Sequence, residues 1–182
     1  MKKLINQPLF VFLLLLLLQA CKKNKDENPP APIPKDVYVA GSQRISGLNK
    51  AVLWKNGILQ PLSKMYDIGE AYSVFVSDNN DVYAAGYAGN DASTFQSAVY
   101  WKNNTQVVLN PTSDGNDAIS VVSKGADIYV CGNDYVNERA VYWKNGVPFT
   151  LAASSARTYS FSMFVSGTDV YVAGYSQDII TR

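Results

Sequence analysis

The segment DVYVAG at residues 36–41 decides how this chain folds, because it returns as DVYAAG at 81–86, DIYVCG at 127–132 and DVYVAG at 169–174. The intervals are 45, 46 and 42 residues. Self-similarity at such a period marks a small unit that is stacked on its neighbours, since one unit alone cannot bury its apolar face. A second motif follows the first three copies: AVLWKNG at 51–57, AVYWKNN at 98–104 and AVYWKNG at 140–146. A third precedes each later copy: YSVFVS at 72–77, ISVVS at 119–123 and SFSMFVS at 160–166. All are short, rich in β-branched and aromatic residues and bounded by Gly, Asn, Asp or Ser, with no helical period, so each predicts a strand. Brief apolar stretches at 58–62, 107–109 and 147–151 supply a fourth. The expected unit is a four-stranded antiparallel sheet, ordered VFVS strand, DVYVAG, AVYWKNG, outer stretch.

Tandem four-stranded units of about 40 to 50 residues are the pattern of propeller blades. The repeats resemble bacterial β-propeller repeats of the broad kelch and NHL kind, with Trp-Lys where WD repeats carry Trp-Asp. The resemblance spans residues 36–182 and implies an all-β, propeller-like array of four-stranded antiparallel blades; it transfers no functional residue. The strand count runs three, four, four and two, so about three blades and part of another are expected, starting at Asp36, Asp81, Asp127 and Asp169. Arg182 falls where Lys50, Ser97 and Arg139 precede the Trp-Lys strand. That position predicts truncation of a longer propeller; the alternative is an oligomer of short chains completing a ring.

Loop lengths point to a face. The spacing from Asp to Trp is 18, 20 and 16 residues, whereas Trp to the next Asp is 27, 26 and 26. Variation therefore concentrates between DVYVAG and AVYWKNG, on the side opposite the tight turns, and variable loops in a repeat array mark a binding face. Loops expected at 42–49, 88–97 and 133–138 carry Arg44, Asp91, Phe95, Asp134, Tyr135 and Glu138. Loops expected to lead into the inner strands add Tyr66, Asp67, Glu70, Asp114, Asp117 and Arg157. A glycan or protein ligand is expected among these residues.

The repeated residues read as structural. Asp36, Asp81, Asp127 and Asp169 precede a strand, where a short carboxylate can accept backbone N–H bonds. Trp54, Trp101 and Trp143 are expected to pack between blades, with Lys55, Lys102 and Lys144 capping that surface. Cys131 aligns with Ala40, Ala85 and Ala173, so it reads as a small buried residue rather than a reactive thiol.

The chain has no histidine, which removes His-dependent triads, His bases and His metal ligands. Neither a metal site nor a cofactor is expected; SDGND at 113–117 is a faint echo of a calcium loop. Paired carboxylates, Asp67 with Asp114 or Glu70 with Asp117, keep open a polysaccharide hydrolase or lyase working at the channel mouth. A purely structural envelope role is a further alternative. From Asp36 onward there are 10 Lys and Arg against 13 Asp and Glu, which offers no footprint for nucleic acid.

The N-terminus carries an address. Lys2 and Lys3 precede an apolar run from Leu9 to Leu18, about 15 Å as a helix against a hydrocarbon core of about 30 Å, which predicts a signal peptide over 1–20 instead of a membrane span. Leu18, Gln19, Ala20 and Cys21 resemble the lipobox of bacterial lipoproteins. That resemblance implies cleavage before Cys21 and lipidation there, with palmitate-type chains as membrane anchor. Lys22 is not the aspartate of an inner-membrane retention signal, so the outer membrane is expected. Residues 21–35 hold the lipidated Cys and a tether with four prolines, which favours extended polyproline II. The expectation from sequence is a lipid-anchored, extracytoplasmic binding or interaction module.

Overall fold

The computed structural model describes residues 35–62, 67–90, 96–109, 115–151 and 156–178; the signal segment, Cys21 and most of the tether lie outside them. Residues 36–182 constitute one compact unit. Among the described residues there is no helix, and strands form four antiparallel sheets in chain order. The first contains β1 (Tyr38–Ile45), β2 (Leu48–Lys55) and β3 (Ile58–Pro61). The second runs β4 (Asp67–Val76), β5 (Val82–Asn90), β6 (Gln96–Lys102), β7 (Thr105–Val108). The third repeats that order with β8 (Asn116–Lys124), β9 (Asp127–Asp134), β10 (Arg139–Lys144) and β11 (Val147–Thr150). The last has β12 (Ala156–Ser166) and β13 (Asp169–Asp178). The expected strand order holds in every sheet, and among the described residues the sheets stand like blades and are not closed into a ring.

Apolar seams between sheets form the core. Trp101 is 1% exposed and packs with Ala51, Leu53 and Leu62 of the first sheet; Trp143, also 1% exposed, packs with Ala98 and Leu109 of the second. The third seam joins Tyr129 and Cys131 to Met163 and Val165. Trp101 and Trp143 therefore sit between blades as their repetition predicts, whereas Trp54 is half-buried on the first sheet and belongs to none of these seams. Cys131 is fully buried, and burial pushes its thiol up to about 11, so it stays protonated and inert at neutral pH.

The Asp of each motif does something the sequence reading did not anticipate. In the first three copies it clasps the Lys-Asn pair at the end of the adjacent Trp-Lys strand. Asp36, Asp81 and Asp127 pair with Lys55, Lys102 and Lys144 at 3.0, 2.8 and 2.8 Å. The same carboxylates accept from the side-chain amides of Asn56, Asn103 and Asn145 at 2.9, 2.7 and 2.8 Å. Each amide oxygen in turn accepts the N–H of Val37, Val82 or Ile128. Each ammonium lies 5.2 to 5.5 Å from the ring centre of Tyr38, Tyr83 or Tyr129. Asn can serve here because it tolerates the left-handed backbone of the tight turn, with φ of 52°, 48° and 52° at the three positions.

A β-bulge recurs in every inner strand: the register slips between Ala71 and Ser73, Ala118 and Ser120, and Ser160 and Ser162. Opposite it lies the motif glycine. A Cβ on Gly86, Gly132 or Gly174 would stand 1.8, 1.9 or 2.1 Å from the carbonyl oxygen of Glu70, Asp117 or Tyr159. The glycine is required by that close approach of two backbones.

Two expectations about loops change. Residues 42–49 are not a loop: β1 and β2 continue to a two-residue turn at Ser46 and Gly47, where φ is 51° and 85°, and Arg44 pairs with Asn49 across the hairpin. Asp67, Glu70, Asp117 and Arg157 are not in loops either, and of the other two expected loops residues 88–90, 96–97 and 133–134, Asp134 among them, lie in strands. Once past the bulge, β4, β8 and β12 keep pairing with β5, β9 and β13, so these residues are strand positions.

Candidate functional site

Antiparallel order places the 77–81 and 103–104 turns at one end of a blade and the longer connections at the other. The N-terminal ends of β4, β8 and β12 therefore open onto the variable face. Of the sequence candidates, Tyr66, Asp91, Phe95, Asp114 and the side chain of Asp67, like Cys21, lie outside the described residues.

The others separate into scaffolding and site. Asp134 accepts the backbone N–H of Val136 and Asn137 at 3.1 and 3.0 Å and the Asn137 side-chain amide at 2.7 Å, so it organises its own turn. The Arg157 Nε donates to Glu138 across the seam between the third and fourth sheets at 2.6 Å, which makes it a blade-to-blade tie. Glu70 accepts from the Asn49 amide at 2.6 Å, tying the second sheet to the first.

Asp117 is different. It occupies the position equivalent to Glu70, just before the bulge, but only 6% of its surface is exposed. Tyr135 donates its hydroxyl proton to Asp117 Oδ2 at 2.7 Å, while Oδ1 has no hydrogen-bond partner among the described residues. Desolvation raises the Asp117 carboxyl above its ordinary value, opposed by the Tyr135 hydroxyl and Asn133. Burial, and then the Asp117 carboxylate, push Tyr135 up to about 12. Tyr72 is raised too, by burial first and then by the charges of Glu70 and Asp117. The Asp117 carboxyl is thus held out of water, while the Tyr135 ring that donates to it reaches the surface.

From Tyr135 a chain of aromatic rings runs onto the fourth sheet. Tyr135 and Tyr159 have ring centres 6.0 Å apart, Tyr159 stacks on Tyr175 at 5.1 Å, and Phe161 stacks on Tyr175 at 5.6 Å. Tyr72 and Tyr87 form a second tilted pair at 6.1 Å. Tyr72, Tyr135, Tyr175 and Phe161 are exposed, each more than two-fifths. The sequence reading found Asp117 and Tyr135 but missed Tyr72, Tyr87, Tyr159, Phe161 and Tyr175. These lie on strands next to repeated residues, where they look like core; Tyr87 and Tyr175 even recur at one position, directly after the motif glycine, which reads as structural.

Chemically, rings with exposed faces and edges beside carboxylates suit ligands with both apolar faces and hydrogen-bond donors. Among the described residues no group of three or more His, Cys, Asp or Glu is placed to hold a metal. Comparison with protein-family models, curated proteins and solved structures finds no match to this chain.

Proposed function

We propose that this chain is an extracytoplasmic binding module, held at a membrane through lipid on Cys21 and presenting the variable face of its blades to a glycan or protein ligand. The observation that carries the reading is the set of exposed rings, Tyr72, Tyr135, Tyr175 and Phe161, of which Tyr135 holds the buried carboxylate of Asp117 and connects through Tyr159 to Tyr175 and Phe161. Exposed aromatics that are contiguous and rimmed by polar groups mark recognition surfaces in soluble domains. The opposite face, by contrast, spends its charges on the Asp-Lys-Asn clasps. In this reading the lipid and the proline-rich tether hold the module off the membrane. The test is a glycan and protein array probed with the full chain, the Tyr135→Ala and Tyr175→Ala variants, and Lys102→Ala as a control on the other face. Loss of hits in the tyrosine variants with retention in the control supports the reading; the reverse pattern overturns it.

A second reading rests on Asp117. A carboxyl raised by burial, with a second carboxylate, Glu70, at the equivalent position of the adjacent blade, has the character of a general acid in glycan cleavage. Incubation with a polysaccharide panel, followed by Asp117→Asn, separates the two: turnover abolished by that change favours the enzyme, and undiminished capture without turnover favours the binding module.

A further inference from the structure

The clasp end of the blades shows what a tyrosine ring beside a carboxylate holds. Lys55, Lys102 and Lys144 place an ammonium 3.0, 2.8 and 2.8 Å from a carboxylate oxygen of Asp36, Asp81 and Asp127. The same ammonium stands 5.2, 5.5 and 5.2 Å from the ring centre of Tyr38, Tyr83 and Tyr129. Ring and carboxylate act together there, since the π face and the charge both favour a cation on a flexible alkyl stem.

The other end of the second and third sheets repeats two of those three partners without the third. On the second sheet Glu70 lies across the ladder from Tyr87, whose ring centre is 6.1 Å from that of Tyr72. On the third, Tyr135 donates to Asp117 Oδ2 at 2.7 Å and its ring centre is 6.0 Å from that of Tyr159. These groups share one neighbourhood: after burial, the charges of Glu70 and then Asp117 raise the Tyr72 hydroxyl, and Tyr87 and Tyr135 act on it as well. Both carboxylates take neutral donors, the Asn49 amide on Glu70 and the Tyr135 hydroxyl on Asp117. Among the described residues neither forms an ion pair, and Arg157 is bound to Glu138. Asp117, 6% exposed, keeps Oδ1 without a partner among the described residues, so its charge meets no cation inside the fold. Both sheets are four-stranded and packed by another sheet on either side. The exposure of Tyr72 and Tyr135, 44% and 49%, therefore belongs to the end of packed blades and not to an uncovered sheet face.

We infer that Tyr72 and Tyr135, together with the carboxylates of Glu70 and Asp117, form a binding site for an alkylammonium group. The inference rests on the binding reading above and names its ligand chemistry: a charged amine on an alkyl stem, brought by a free polyamine or by a lysine side chain of a protein. The exposed rings make the contact. Asp117 is too buried to touch the ligand and acts through Tyr135, because a carboxylate that accepts from a phenol hydroxyl enriches the ring in electron density and so its attraction for a cation. Asp117 is in this sense a positioning residue, and Glu70, half-buried, supplies the second charge.

The test uses the full chain in an uncharged detergent, titrated with spermidine, with Nα-acetyl-lysine methylamide and with the Nα,Nε-diacetyl form that lacks the charge, and followed by calorimetry and by NMR of ring-labelled tyrosine. Saturable binding of an amine is expected, with shifts at Tyr72 and Tyr135. The diacetyl probe, and the Tyr72→Ala and Tyr135→Leu variants, should each weaken binding about tenfold. Tyr135→Phe keeps the ring but breaks its bond to Asp117, so its loss, about threefold, should match that of Asp117→Asn. Lys102→Ala, at the clasp end, should change nothing. If Tyr135→Leu does not fold, Tyr72→Ala at an exposed bulge position keeps the test readable. Tighter binding of spermidine makes the source a free polyamine; tighter binding of the lysine probe makes it a lysine-bearing protein. Equal affinity for the diacetyl probe, amine binding untouched by Tyr72→Ala, or no amine binding overturns the inference. Array hits lost in Tyr135→Ala while no amine binds overturn it alone and leave the binding reading standing.

Discussion

Replacing Gly86 by alanine tests the bulge reasoning at the point where it is most exposed to failure. The new Cβ would stand 1.8 Å from Glu70 O, 2.8 Å from its carbonyl carbon and 3.0 Å from Ala71 Cα, all of them backbone atoms. Since real Cβ contacts essentially never fall below 3.0 Å, β4 and β5 must separate locally by about 1.2 Å. That displacement breaks or strains two or three ladder hydrogen bonds at about 1 kcal/mol each, for an expected loss of about 3 kcal/mol. Two other glycines calibrate the result. Gly57 has φ +80° with nothing within 4 Å, so alanine there incurs only backbone strain of about 1 kcal/mol. At Gly41 the new Cβ meets Trp54 Cζ3 at 2.9 Å, a side-chain atom of a half-buried ring that can shift, and the loss should fall between the two. Urea unfolding followed by tryptophan fluorescence gives the three values under one set of conditions. The expected order is Gly86, then Gly41, then Gly57. If Gly86→Ala costs no more than Gly57→Ala, the close approach is not what requires glycine in the motif.

Further outcomes follow from burial and charge. Truncating Trp143, 1% exposed in its seam, to alanine should cost about 3–5 kcal/mol in the same unfolding assay, because it empties a seat that cannot collapse. Burial raises Asp117 above its ordinary 3.8, so its penalty to the fold is absent below that pH and grows as pH rises through the raised value. Asp117→Asn should therefore gain about 1 kcal/mol at pH 7 and nothing near pH 3, by chemical unfolding at both. Asp81 has the opposite sign: hydrogen bonding from Lys102 holds it below its ordinary value, so its contribution is present at neutral pH and lost as pH falls through that lowered value. Asp81→Asn should lower the thermal midpoint at pH 7, with the difference from wild type vanishing in acid. The Cys131 thiol, pushed up to about 11, should resist a thiol reagent at pH 8 until denaturant opens the third seam; labelling at the same rate with and without denaturant would contradict its burial.

Much of this architecture was legible because a repeat restates its own constraints. Trp101 and Trp143 recur at one position with one environment, so their place between blades could be inferred without knowing either neighbour. Cys131 was readable because three alanines hold the equivalent site. The clasp was also in principle visible: Asp, Lys and Asn recur together in three copies, and the fourth copy has the Asp alone. What hid it was distance, 17 to 22 residues between partners, which a reading of local turn chemistry does not span. The bulge was out of reach for a different reason. Its extra residue is Tyr72 in one strand and Phe161 in another, with no shared identity, and only its glycine partner on the next strand repeats.

The two electrostatic signs bear on which face serves recognition. At the tight-turn end every described motif carboxylate with a Trp-Lys partner strand is neutralised, by Lys55, Lys102 or Lys144 and by an asparagine. These residues recur unchanged and the chemistry there is self-satisfied. At the opposite end Asp117 is buried to 6% exposure with Oδ1 unpartnered among the described residues, a configuration that costs stability instead of contributing it. Its counterpart in the second blade is a glutamate bound to Asn49, and in the fourth a tyrosine, Tyr159, stacked on Tyr175. A position that the fold treats as interchangeable among Glu, Asp and Tyr is not fixed by packing, so the destabilising choice at Asp117 calls for a reason outside folding. Strain and unsatisfied groups concentrate where a protein meets its ligand. Asp117 and the loop lengths point to the same proposed face independently: the loop spacing is a property of the connections, and Asp117 is a property of a strand.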